Sequence, residues 1–216
     1  MVIKMGKALL HNKKILTFLF LVMVSSASVA TPEIQTWQTV NGVKVLFVPA
    51  NEIPMLDVRV VFDAGSARDN DLSGLAVLTN GLLSEGAAGK SSQKIAEIFE
   101  SVGAQIEYEA GRDMAVVGVR SLTESRYLST AVKSLTEVLT QPDFPEDAFQ
   151  RELNRMRVSV KAQQQSPSAI AGEAFNKAVF GEHPYATPVG GTMSSLEKIT
   201  LSNVHAFYEK YYVASN

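Results

Sequence analysis

The 216-residue chain contains no cysteine and only three histidines. A chain without cysteine forms no disulfide and offers no thiolate to a metal. A metal site would therefore depend on His, Asp and Glu, yet the sequence holds neither His-x-x-Glu-His nor His-Glu-x-x-His. It also lacks a Gly-x-Ser-x-Gly elbow and a glycine-rich phosphate loop. The common sequence signatures of zinc hydrolases, serine hydrolases and nucleotide-binding enzymes are thus excluded.

A hydrophobic run long enough to span a membrane is also absent. The apolar run at residues 15–24 has ten residues, whereas a membrane-spanning helix needs about 20. It follows four lysines, and Ser28-Val29-Ala30 then places small residues at the −3 and −1 positions of a cleavage site. This pattern predicts a signal peptide at residues 1–30. An uncleaved anchor in the inner membrane is the alternative.

The chain that would remain after cleavage has no excess of positive charge. Residues 1–30 hold four lysines and no acid, so residues 31–216 carry 16 basic and 22 acidic side chains, a net charge of −6. This balance argues against nucleic acid as a partner. An exported, cysteine-free and mildly acidic domain is more typical of a bacterial periplasmic protein than of a disulfide-rich secreted module. We therefore expect a periplasmic protein.

The apolar pattern predicts the elements of residues 31–216. Alternation bounded by turn residues indicates strands at 34–40, 43–48, 55–64, 104–109 and 114–119. Helical spacing and capping residues indicate helices at 74–86, 93–102, 123–140, 145–165, 167–179 and 201–211. Strand pairs with helices grouped between them predict one α+β domain, with helices on one face of a sheet. Residues 211–216 turn toward an extended run, which predicts a domain truncated at its C-terminal end.

The helix predicted at residues 74–86, GLAVLTNGLLSEG, has two distinct sides. Its leucines recur at helical spacing and predict a buried face. Val77, Asn80 and Gly81 share another side, since residues three and four apart are neighbours on a helix. On the later helix at 145–165, Glu152 and Arg155 are spaced to form an ion pair on the helix surface.

An ordered set of short motifs resembles the pitrilysin/insulinase-type zinc peptidases, which carry His-x-x-Glu-His on a helix. The similarity covers nearly all of residues 33–216 and rests on these segments: Phe62-Asp63-Ala64-Gly65-Ser66, Gly74-Leu75-Ala76, Leu82-Leu83-Ser84-Glu85-Gly86, Arg151-Glu152 with Pro167, Gly181-Glu182-His183-Pro184-Tyr185, Gly190-Gly191-Thr192, and Tyr211-Tyr212-Val213-Ala214-Ser215-Asn216. The resemblance implies an antiparallel-rich mixed sheet with helices on one face, as in the N-terminal domain of pitrilysin and of mitochondrial-processing-peptidase-like proteins.

The same resemblance implies that residues unable to bind zinc or act as a base occupy the catalytic positions. The two zinc-binding His positions fall on Val77 and Gly81, the third ligand position on Ser159 and the general-base position on Asn80. A catalytic zinc needs three protein donors and an open position for water, which these residues do not supply. We therefore predict no catalytic residue, no metal and no cofactor in this chain. His183 and His205, the histidines outside residues 1–30, are interpreted as structural or surface residues.

The leading functional hypothesis follows from the resemblance. Family members are built from related halves around a chamber, so this chain would be a non-catalytic subunit that pairs with a zinc-bearing relative and helps to hold a peptide substrate. It would not be an enzyme on its own. The strand at 104–109 is the candidate peptide-binding edge. Two alternatives stay open: an assembly or structural protein of the same fold, and an active hydrolase whose ligands lie elsewhere.

Overall fold

The computed structural model describes residues 33–216, and the predicted signal peptide lies outside the described residues. The described chain falls into two units. The first comprises residues 33–37 and 45–50, and contains most of strands β1 (Gln35–Gln38) and β2 (Lys44–Phe47). These strands form a two-stranded sheet. The rings of Trp37 and Phe47 pack edge to face with their centroids 6.4 Å apart.

The second unit comprises residues 38–44 and 51–216 and holds the remaining elements. Its strands are β3 (Met55–Phe62), β4 (Gly86–Ala87), β5 (Lys90–Ser91), β6 (Gln105–Ala110) and β7 (Ala115–Leu122). Its helices are α1 (Leu75–Leu82), α2 (Ser92–Ser101), α3 (Ser125–Thr140), α4 (Glu146–Gln163), α5 (Pro167–Phe180), α6 (Met193–Leu196) and α7 (Leu201–Tyr211). Two 3₁₀ turns occur at Ser66–Arg68 and Pro184–Ala186.

A three-stranded sheet organises this second unit. β7 lies in the centre and pairs antiparallel with β3 on one side and β6 on the other. On one face Val117 and Val119 are buried against the helices, chiefly α1 and α3. On the opposite face Asp57, Arg59 and Arg120 are exposed. Because successive side chains of a strand point to opposite faces, the apolar alternation of these strands dictates this one-sided core. The α+β prediction, with helices against one face of the sheet, is confirmed.

The helix predicted at residues 74–86 is shorter than expected. α1 ends at Leu82, and Leu83 and Ser84 close its last turn through hydrogen bonds to Asn80 and Gly81. Gly86 already belongs to β4, which pairs with β5 in a short hairpin. The apolar pattern typical of a helix continues past Leu82, but Gly86 pairs with Ser91 in this hairpin. The motif at the end of the helix is therefore a turn into a strand.

Candidate functional site

A buried carboxylate fixes the start of α1. The Asp69 carboxylate accepts hydrogen bonds from the backbone N–H groups of Gly74 and Ala76, each at 2.8 Å. The side chain is almost fully buried. Burial raises the pKa of Asp69 to about 7, and the backbone donors oppose that rise because they stabilise the charged form. These bonds satisfy N–H groups that a helix N-terminus otherwise leaves unpaired.

Close packing of glycines explains two of the motifs that surround α1. Gly74 has a φ of 99°, a conformation that favours glycine, and an added Cβ there would lie 3.1 Å from the carbonyl oxygen of Gly190. At Gly191 an added Cβ would lie only 2.4 Å from the carbonyl oxygen of Ser73. The Gly190-Gly191 loop therefore approaches the start of α1 at a distance that side chains would prevent. These glycines position the helix rather than carry chemistry.

The two positions of α1 that the resemblance predicts for zinc-binding histidines hold a valine and a glycine, whose side chains offer no metal ligand. Val77 and Gly81 are half-buried on this helix. Among the described residues, an added Cβ at Gly81 would meet no heavy atom within 4 Å outside its own helix. Space for a larger side chain is thus present at Gly81. The space is not occupied by a ligand side chain from a neighbouring element.

Asn80, at the position that the resemblance predicts for the general base, is buried in the core. Its side-chain amide is buried and donates to the Tyr212 hydroxyl at 3.2 Å and to the carbonyl oxygen of Val116 at 3.4 Å. Tyr212 in turn packs against the ring of Phe62, with centroids 4.8 Å apart. Burial raises the pKa of Tyr212, so its hydroxyl stays neutral. Asn80 therefore connects α1 to β7 and to the end of α7.

Ser159, at the position that the resemblance predicts for the third ligand, lies on α4 and is exposed. Helix α4 packs against α1, so the structure brings together the two helices that carry the four positions. These positions offer a hydroxyl, a buried amide, a valine and a glycine. Within residues 33–216, no group of three or more His, Asp or Glu side chains is arranged to hold a metal ion. That this chain binds no zinc stays a prediction.

The two histidines of the described chain each make a structural contact and belong to no cluster of metal-ligating side chains. The Nδ1 atom of His183 accepts a hydrogen bond from the backbone N–H of Tyr185 at 3.2 Å and caps the 3₁₀ turn Pro184–Ala186. His205 on α7 packs edge to face on the ring of Phe144, with centroids 5.2 Å apart. Both histidines have structural contacts at the surface of the unit.

Glu152 is buried, which its position in the sequence does not predict. Glu152 does pair with Arg155 on α4, as the spacing predicts. However, the Glu152 carboxylate belongs to the buried residues of α4, whereas Arg155 is exposed. No local signal separates these two side chains, because the difference depends on which side of α4 packs against the rest of the domain. One partner of this ion pair is therefore buried in the core, and the other is exposed to solvent.

A polar cleft of about 680 Å³ lies near the C-terminal end of α1. Its walls include Glu85, Lys90, Asp143, Asp147 and Arg151. Arg151 pairs with Glu85 and with Asp147, and Lys90 pairs with Glu137 at 3.1 Å. Asp143 is in none of these ion pairs and accepts a hydrogen bond from the backbone N–H of Gly89 at 2.9 Å. The cleft is separate from the positions of Val77 and Ser159, and neither of those residues lines it.

The sheet leaves two edges available. In the order β3–β7–β6, strand β6 lies at one edge, where the sequence predicts the candidate peptide-binding edge, and β3 lies at the other. Gln105, Glu107 and Glu109 of β6 are exposed, and Ile106 and Tyr108 pack toward the core. An edge strand presents unpaired backbone groups that can pair with an added strand. None of the described helices is long and apolar enough to cross a membrane.

Comparison with known proteins identifies a family and its folds. A profile described as Insulinase (Peptidase family M16) matches residues 45–193. The crystal structure of a peptidase M16 inactive domain from Pseudomonas fluorescens is 42% identical, with a TM-score of 0.83, over 85% of this chain and 45% of that one. The periplasmic protease PqqL from Escherichia coli is 18% identical, with a TM-score of 0.74, over 87% of this chain and 22% of that one.

Curated relatives carry names of two kinds. The non-peptidase homolog YmxG of Helicobacter pylori is 23% identical over 82% of this chain and 41% of its own length. A Bacillus subtilis relative named as an uncharacterized zinc protease is 21% identical over 80% of this chain and 42% of its own length. The chain thus spans about two fifths of the length of these relatives.

Proposed function

Because the chain belongs to the insulinase peptidase family, M16, and is a homologue of its inactive and non-peptidase members, we propose that it is a non-catalytic subunit of a zinc metallopeptidase. In this role it pairs with a zinc-bearing relative and completes a chamber that holds a peptide. The zinc and the general base belong to the partner. This chain forms one wall of the chamber and a rigid framework for it.

The environment of Asn80 carries the proposal. A general base must take a proton from a metal-bound water, and a neutral amide cannot do so. The Asn80 amide also already donates to Val116 and Tyr212, so it is occupied in the core. Val77, Gly81 and Ser159 supply no three-donor set for zinc. The similarity to a structure named as an inactive domain supports the same conclusion.

The free edge of β6 suits a peptide-holding role. Backbone N–H and C=O groups along an edge strand pair with an extended peptide whatever its sequence, so they give affinity without strict specificity. The exposed acidic side chains Glu107 and Glu109 would lie beside such a peptide. We propose the bacterial periplasm as the location, supported by the signal-like pattern of residues 1–30 and by the likeness to the periplasmic protease PqqL.

The experiment measures zinc and peptidase activity, first for the purified chain and then after addition of a zinc-bearing family member from the same organism. We expect no stoichiometric zinc and no cleavage by the chain alone, and cleavage that rises on mixing. Tightly bound zinc at one atom per chain would contradict the proposal. So would a relative that cleaves equally well alone and forms no complex in size-exclusion chromatography.

A restored variant sharpens this experiment. The triple substitution Val77→His, Gly81→His and Ser159→Glu introduces three donors on the two packed helices, and we expect it to bind zinc without cleaving peptides, since Asn80 is unchanged. The matched control replaces Ser159→Glu by Val158→Glu, at a neighbouring exposed residue of α4. Zinc binding that is equal in the two variants would show that Ser159 is not the third ligand position.

A further inference from the structure

The turn that joins β1 to β2 contains an asparagine followed by a glycine, Asn41-Gly42. Residues 39–43 are all exposed. The backbone N–H of Gly42 donates to the carbonyl oxygen of Thr39 at 2.9 Å, and the backbone N–H of Val43 donates to the Thr39 hydroxyl at 3.1 Å. Within the described chain, the bond to the Thr39 hydroxyl is the one side-chain hydrogen bond of this turn, so the Asn41 side chain is held by none.

An asparagine side chain in this position can react with the backbone of the next residue. The nitrogen of Gly42 attacks the Cγ atom of Asn41 and forms an N–C bond, while the bond from Cγ to the amide nitrogen breaks. The proton of the attacking N–H leaves with that amide nitrogen, as ammonia. Water then opens the resulting succinimide ring at either carbonyl and gives aspartate or isoaspartate. Glycine favours the attack because it carries no Cβ beside the attacking nitrogen.

The structure of the turn leaves this reaction accessible. An added Cβ at Gly42 would meet no described heavy atom within 4 Å, so no neighbouring residue shields the site. The hydrogen bond from Gly42 to Thr39 must break before the attack. Because β1 and β2 form a sheet of only two strands, and such a hairpin is marginally stable in water, opening of the turn costs little free energy.

A second Asn-Gly pair, Asn80-Gly81, is protected by its surroundings. Asn80 is 2% exposed, and its amide donates to Val116 and Tyr212. Both residues lie within α1, where the backbone N–H of a residue is bonded to the carbonyl four residues earlier. The same attack at Gly81 therefore requires this helix to unwind, although six of its eight residues are buried.

From this contrast we propose that Asn41 is a site of spontaneous deamidation in the folded protein and that Asn80 is not. Each product adds a negative charge to the exposed turn. Isoaspartate also passes the backbone through the former side chain, which lengthens the turn that fixes the register of β1 and β2. This site is independent of zinc and of the proposed partner.

Peptide mapping by mass spectrometry tests the proposal, after the purified folded chain has been incubated at mildly alkaline pH. We expect the converted fraction at Asn41 to exceed that at Asn80 at least about tenfold, because a turn opens at far lower free energy than a core helix. Asn70 is the second internal control, since it is exposed but precedes Asp71, whose Cβ hinders the attack. A synthetic peptide of residues 38–44 verifies that the conditions suffice. If this peptide converts while Asn41 of the folded chain stays an amide, the proposal is wrong.

Two further measurements separate the fold from the local sequence. Asn41→Gln keeps an amide but would need a larger ring, so we expect the acidic product to disappear in isoelectric focusing of this variant, with circular dichroism verifying its fold. In denaturant, Asn41 and Asn80 of the wild-type chain should convert at similar rates, since each precedes glycine. Equal conversion of the two residues in the folded chain, or a difference that persists in denaturant, would overturn the inference.

Discussion

Helices α1 and α5 are both poor in charge and rich in small and apolar residues, yet their surroundings are opposite. In α1, six of eight residues are buried, and in α5 none of 14 is. The start of α1 is held by the buried Asp69 carboxylate, whereas Ser166 at the start of α5 makes no side-chain cap hydrogen bond. Composition is similar, so it does not explain the difference.

The difference shows how one domain can use apolar helices in two ways. α1 packs inside its own unit, and Asn80, the position predicted for the general base, is among its buried residues. α5 leaves its apolar side outside. Space for a larger side chain is present at Gly81, but the Asn80 position is filled, since its amide donates to Val116 and Tyr212. The exposed apolar side chains are on a different helix.

The strongest test of this contrast replaces Asn80→Glu. A carboxylate at this position would be buried and would face the carbonyl oxygen of Val116, so it must either stay charged without a partner or take up a proton. We expect a loss of about 4 kcal/mol in the free energy of unfolding, measured by denaturant titration. The control is Gly81→Glu on the same helix, where the added atoms meet open space and helix propensity favours the change. Equal losses in both variants would contradict the assigned role of Asn80.

The pH dependence of stability tests the anchoring of α1. Since burial raises the native pKa of Asp69 from the ordinary 3.8 to about 7, the folded state holds the proton more tightly than the unfolded state does. This contribution is fully present below pH 3.8 and is lost as the pH rises through about 7. It amounts to at most about 4 kcal/mol. Asp69→Asn should flatten the dependence across this window. An unchanged slope would show that Asp69 titrates normally.

A pair of truncations compares the two helices directly. Leu78→Ala removes a side chain that is 2% exposed on α1, and we expect it to lower the free energy of unfolding by about 3 kcal/mol. Ile170→Ala removes one that is 51% exposed on α5, and it should change this quantity by less than about 0.5 kcal/mol. A large loss for Ile170→Ala would contradict the difference in burial between the two helices.

Much of the fold was predictable because its signals are local. Alternation gave β3, β6 and β7, and helical spacing with Pro167 at a first turn gave α5 within one residue of its end. The short strands β4 and β5 were not predictable, since two residues carry no periodicity. The burial of Glu152 and the pairing of Asn80 with Tyr212, 132 residues later, depend on contacts between distant segments. No local pattern encodes such contacts.

The amino-acid sequence by itself determined the kinds of side chain available: no thiol, no zinc-binding histidine pair, and a valine, an asparagine, a glycine and a serine at the positions named by the family resemblance. It also determined most of the longer helices and strands, since these follow from local periodicity. Only the tertiary structure decided that Asn80 is enclosed while α5 stays uncovered. Burial is set by which elements pack together, and two segments of similar composition differ in this when their neighbours differ.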